Sequence, residues 1–141
     1  MTSSLAVRFQ RPAVGVHEAE QIAWEHFGLQ GTIEELPSER DRNFLIATSE
    51  GRRLVLKVAH ADESAGILDL QHKALRHIAD RAPALTMPAV VLSKGGRDVE
   101  TILSLAGTSH LVRVLTWVPG RELASVRPHT SHTSGFASSM M

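Results

Sequence analysis

Residues 52–60 read Arg-Arg-Leu-Val-Leu-Lys-Val-Ala-His, an aliphatic strand with a single lysine in its middle. Successive side chains of a strand point to opposite faces. Leu54, Leu56 and Val58 therefore share one face, and Val55, Lys57 and Ala59 share the other. An ammonium group set between two apolar side chains requires an anionic partner or a water-filled cleft. The plainer alternative is an edge-strand lysine that discourages pairing with another chain. Both readings demand a sheet, and the rest of the chain must supply its other strands.

The elements around this strand follow from periodicity. Ala19, Ile22, Ala23 and Phe27 form a helical stripe over about residues 17–27, with Glu18 and Glu20 in the first turn and Gly28 as the expected C-cap. From Gly31 the period changes to that of strands, over residues 32–36 and 44–48. Between them lies a charged turn of Ser38, Glu39, Arg40, Asp41, Arg42 and Asn43. The turn at Ser49, Glu50 and Gly51 then leads back into the lysine strand as a hairpin. A second helix is expected from an Asp62 N-cap to Arg81, stopped by Ala82-Pro83, with Ile67, Leu68, Ala74, Leu75 and Ile78 on its buried face. Gln71 falls inside that stripe and needs a hydrogen-bond partner there. Three strands follow, over residues 88–92, 99–103 and 110–118, with residues 93–98 as the hairpin turn between the first two. The last strand ends at Pro119-Gly120.

Composition narrows the function classes. The chain has 141 residues, 43% hydrophobic, which suits one compact domain. Fifteen basic residues balance fifteen acidic ones, so no net field favours nucleic acid or an anionic membrane. Absence of tyrosine and an aromatic content of 4% argue against a base-stacking surface. Without cysteine there are no disulfides, thiolate metal sites or thiol catalysis. The first residues carry no signal-peptide core and no run reaches bilayer length, which points to a cytoplasmic protein. Residues 1–14 read as a flexible start, and residues 124–141, rich in Ser, Thr and His, as a disordered tail. His129 and His132 have no Asp, Glu or Cys beside them and are not read as metal ligands.

Four phrases carry a resemblance: residues 36–46, 54–58 (Leu-Val-Leu-Lys-Val), 70–75 (Leu-Gln-His-Lys-Ala-Leu) and 112–120 (Val-Arg-Val-Leu-Thr-Trp-Val-Pro-Gly). With the order of elements, they resemble the N-terminal lobe of the aminoglycoside phosphotransferase and choline kinase-like family, above all its hydroxylysine kinase-like branch. The resemblance covers about residues 12–123, so the domain is expected over residues 15–123. The implied fold is α+β, a protein kinase-like N-lobe with an antiparallel sheet of about five to six strands, one packed helix and an N-terminal helix.

The resemblance also implies roles. Lys57 corresponds to the lysine that meets nucleotide phosphates, and Val55 packs on the adenine. Ser38, Arg40, Asp41 and Asn43 belong to the loop over the phosphates. Gln71 stands where a glutamate usually partners the lysine, offering an amide oxygen but no charge. Trp117 and Val118, with Pro119, match the hinge to a second lobe. The implied cofactor is ATP, with Mg²⁺ only when a C-terminal lobe is present.

The departure from the pattern is equally informative. Phosphoryl transfer of this type needs an aspartate base and an aspartate–asparagine metal site after the hinge. Here Asp98 is the last aspartate, Glu122 the last glutamate and Asn43 the only asparagine. A truncated, inactive nucleotide-binding lobe is therefore expected, its partners a nucleotide and either a missing C-lobe or a protein covering the exposed sheet face. The alternative is a non-catalytic interaction or regulatory module that has kept the fold.

Overall fold

The computed structural model describes residues 11–118. Helix α1 (Val16–Phe27) precedes β1 (Gly31–Leu36), β2 (Arg42–Thr48) and β3 (Arg53–Val58). Helix α2 (Ala65–Arg81) leads to β4 (Val90–Val91), β5 (Glu100–Leu103) and β6 (Ser109–Thr116). The sheet runs β1-β2-β3-β6, with β4 and β5 both on the outer edge of β6, and every pairing is antiparallel. The expected α+β architecture is the one observed.

Helix α1 begins where Glu18 Oε1 accepts the Gly15 N–H at 2.9 Å. It ends at Gly28, whose φ of 67° is the left-handed conformation that a glycine adopts without strain. The Leu29 N–H then turns back to the Ala23 carbonyl and buries its side chain. Gly31 opens β1 against β2 so closely that any Cβ there would collide with the Ala47 carbonyl.

Alternation places Phe44 and Ile46 of β2, Leu54, Leu56 and Val58 of β3, and Val112 and Val114 of β6 on the face beneath α1. Ala19, Ile22, Ala23 and Phe27 close over them, so the core lies between α1 and the sheet. The expected loose start does not hold from Arg11 onward. Pro12 and Val14 are buried in this layer, and the Pro12 carbonyl accepts from Arg42 Nε at 2.7 Å.

Other expectations need correction. β3 lies between β2 and β6, so Lys57 is not an edge guard. β2 begins at Arg42 and takes Asn43 into the ladder, because Leu36 and Lys57 offer it partners on both sides. Ser64, not Asp62, caps α2: its Oγ accepts from the N–H groups of Gly66 and Ile67, while Asp62 lies in a turn closed from Glu63 N–H to His60 C=O. Residues 93–98 do not join a hairpin. β4 and β5 run end to end, because the eight-residue β6 has room for both on one edge.

The buried face of α2 is also narrower than its apolar stripe. Only Leu68 and His72 are fully buried, whereas Ile67 is 49% exposed and Leu70 64%. The helix meets the sheet along one line and leaves an open groove beside it. The expected tail, with Pro119 and Gly120, lies outside the described residues.

Candidate functional site

The second face of the sheet gathers Asn43, Lys57 and Arg113 in one row across β2, β3 and β6. Lys57 pairs across the strands with Asn43 on one side and Arg113 on the other. Its Nζ donates to Asn43 Oδ1 at 3.4 Å. Among the described residues neither Lys57 nor Arg113 forms an ion pair with a carboxylate. Burial, followed by the charge of Arg113, pushes the Lys57 ammonium down to about 8, against a smaller upward pull from Asp41. An amine held in that state gains most from an arriving anion.

Arg113 is itself 8% exposed, and burial lowers its pKa too. Its Nη1 lies 3.0 Å from His72 Nε2. A guanidinium only donates, so Nε2 is the unprotonated nitrogen and Nδ1 carries the ring proton. That Nδ1 faces Asp98 Oδ2 at 3.5 Å. Arg76 in turn grips both oxygens of Asp98, at 2.6 and 3.1 Å. Burial and the adjacent Arg113 lower the His72 pKa despite Asp98, so the ring is neutral at pH 7. The chain Arg113–His72–Asp98–Arg76 fastens α2 and the β4–β5 connection to β6.

The charged turn forms a braced rim at the same end of β3. Ser38 Oγ donates to the Asp41 carbonyl at 2.7 Å, and Asp41 Oδ1 accepts the His60 N–H at 2.9 Å. Arg11 adds a bond to the same Asp41 carbonyl, and Arg42 an ion pair with Glu35 at 2.9 Å. Arg40 is exposed at the tip. Val55 is half-buried two residues before Lys57, on the same face.

The sequence-based candidates thus fall into two groups. Ser38, Asp41, Asn43 and Lys57 converge. Gln71 does not join them: it lines the groove with Ile67, Leu75, Arg113 and Leu115, a cavity of about 200 Å³, and Lys57 takes Asn43 as its acceptor instead. Trp117 and Val118 lie past the end of β6, where the Trp117 N–H donates to the Arg53 carbonyl at 3.0 Å. Four residue steps along the strand separate Arg53 from Lys57, about 13 Å at ~3.3 Å per step.

Arg113, His72, Asp98 and Arg76 were not among the sequence candidates. The signal for Arg113 was present, since it interrupts the face shared by Leu111 and Leu115 just as Lys57 interrupts that of Val55 and Ala59. The other three come together only through tertiary packing. Among the described residues, no three His, Asp or Glu side chains gather to hold a metal ion, and no helix is long and apolar enough to cross a membrane.

Comparison with known proteins identifies the family and the fold. The phosphotransferase enzyme family matches residues 32–138. The chain belongs to that family. Hydroxylysine kinase of Danio rerio is 26% identical over 126 residues, covering 86% of this chain and 36% of the relative. Hydroxylysine kinase of Mus musculus is 27% identical over 129 residues, covering 82% and 34%. The chain spans about a third of the length of the curated relatives it matches. Amicoumacin kinase hAmiN, solved with AMP-PNP, Ca²⁺ and Ami, superposes with a TM-score of 0.66 at 22% identity, over 86% of this chain and 35% of its own. A microcompartment-associated aminopropanol kinase gives 0.61 at 22% identity, over 75% and 32%. This phosphotransferase-family chain has the fold of a kinase-like N-terminal lobe.

Proposed function

We propose that the chain supplies the nucleotide-binding half of a small-molecule kinase, which transfers a phosphoryl group from ATP to a hydroxyl. The observation that carries this reading is Lys57: an interior-strand lysine, desolvated, whose hydrogen bond among the described residues goes to the neutral Asn43 and not to a carboxylate. Its ammonium binds the phosphates as a point charge. Val55 packs on the base, and the backbone at Trp117 and Val118 pairs with the base edge. The Trp117 N–H is committed to Arg53, so the base is read by neighbouring backbone groups. Ser38 and Asp41 act by shaping the phosphate loop, because their side chains are engaged within it. Arg40 at the exposed tip adds charge, and Gln71 borders the groove behind the site.

Chemistry needs more than this lobe. A base must take the proton of the acceptor hydroxyl, and carboxylate and amide ligands would hold Mg²⁺, which would supply charge neutralisation for the transferred phosphoryl group. The described residues offer no such set beside Lys57. We assign base, metal ligands and the choice of acceptor to a second lobe, so this chain by itself is expected to turn nothing over. Calorimetric titration tests the reading: ATP binds weakly, and Lys57→Ala abolishes the signal. Absence of ATP binding, or equal binding by the variant, contradicts it.

A second reading rests on the exposed Ile67 and Leu70 beside the groove. An apolar strip of this kind suits a protein surface, and a regulatory or interaction module retaining the fold would use it. Size-exclusion chromatography separates the two, since a stable ligand-free monomer at all concentrations weakens the interaction reading.

A further inference from the structure

A guanidinium carries five N–H donors in a planar fork. Arg113 is 8% exposed, and its side-chain hydrogen bond goes to a neutral ring nitrogen, His72 Nε2. One such bond satisfies geometry without cancelling charge. A buried charge lacking a counter-charge is costly. The cost is raised here, because the cross-strand neighbour on the same face is a second cation, Lys57. Asp41 and Glu63 favour the charged form of Arg113 from a distance, and neither pairs with it. Beyond Arg113 the groove is lined mainly by apolar side chains, Ile67, Leu75 and Leu115, with Gln71, and none of them offers a counter-charge.

We propose that Arg113 and Lys57 form a two-cation site for a polyphosphate chain, with His72 the positioning residue that aims Arg113. The proposal rests on the nucleotide reading of Lys57 and deepens it by naming a second phosphate contact on β6. Arg113 is the planar fork matched to phosphate oxygens, and Lys57 the adjustable point charge. His72 suits its task because it is neutral. A carboxylate at that position would orient the guanidinium equally well but would cancel the charge an anion seeks. Asp98 Oδ2, gripped by Arg76, lies 3.5 Å from Nδ1 without forming a hydrogen bond to it, and favours a proton on that nitrogen.

Calorimetry with inorganic tripolyphosphate, ATP and adenosine tests the proposal, using the whole chain. Tripolyphosphate and ATP bind the unsubstituted protein, and Arg113→Met weakens both by about ten-fold or more. Arg113→Lys falls between them, keeping the charge and losing the fork. His72→Ala weakens binding, whereas His72→Gln, whose amide oxygen still accepts from Arg113, restores it. Should Arg113→Met fail to fold, the unsubstituted protein answers alone: tripolyphosphate shifts the Arg113 Nε–Hε resonance and slows its exchange. ATP binding that Lys57→Ala abolishes but Arg113→Met leaves unchanged, with the Arg113 resonance unmoved, overturns this proposal and leaves the nucleotide reading standing. Failure of the unsubstituted protein to bind either phosphate ligand overturns both.

Discussion

On one side of the sheet, Phe44, Ile46, Leu54, Leu56, Val112 and Val114 meet α1 in a closed apolar layer. On the other, the same strands present Asn43, Lys57 and Arg113, and α2 buries only Leu68 and His72 against them. The strands are shared, so alternation alone separates the two faces. Stability is concentrated under α1, where burial needs no charge compensation. Among the described residues the α2 face carries two cations without paired carboxylates, an arrangement that costs stability and that, under the proposed function, an arriving anion would relieve.

The sharpest way to break this contrast is to damage the closed face. Phe44 is fully buried, and Phe44→Ala is expected to cost about 3–5 kcal/mol, read as a fall in the urea midpoint. A loss below about 1 kcal/mol would show that the α1 layer does not carry the fold.

His72→Ala is the counterpart on the open face. It removes the acceptor of Arg113 and is expected to cost about 1–3 kcal/mol. The effect also has a pH signature. The folded-state pKa of His72 is lowered, so the unfolded chain binds more protons just below pH 6.5. The stability from the neutral ring is complete above pH 6.5 and lost as pH falls toward the folded value. Arg113 from β6, Asp98 from the β4–β5 connection and Arg76 on α2 are the charges facing the ring. His72→Gln lacks this component, so its stability relative to the unsubstituted protein rises between pH 6.5 and 5. Parallel denaturation curves at the two pH values would remove the buried histidine from the account.

The smallest effect belongs to the groove rim. Leu70 is 64% exposed, and Leu70→Ser should alter stability by no more than about 0.5 kcal/mol. A larger loss would mean that α2 is held by its apolar strip rather than by Leu68 and His72.

The legible parts of the fold are those set by local pattern. The α1 stripe with Gly28, and the alternation that divides Leu54, Leu56 and Val58 from Val55 and Lys57, are written in neighbouring residues. The rotation of α2 is not, because its apolar residues outnumber those that one line of contact with the sheet can bury. Nor is the end-to-end placement of β4 and β5, which depends on the length of β6. Lys57 stood out as a lone charge in an aliphatic strand. Its hydrogen bond goes to Asn43, which comes into range only through the β2–β3 register, and not to Gln71, the position to which the resemblance pointed.

Lys57 itself offers the most direct test. Its ε-methylene resonances, followed by NMR from pH 6 to 11, report the proton equilibrium of the amine without any substitution. In the free protein Lys57 should titrate near 8, below its ordinary 10.5. Saturating ATP should raise that value, because a phosphate beside the amine favours the charged form. By linkage, ATP affinity then falls as pH rises above about 8. A Lys57 that titrates at the ordinary lysine value, or one that ATP leaves unmoved, would contradict the assignment of this face to phosphate binding.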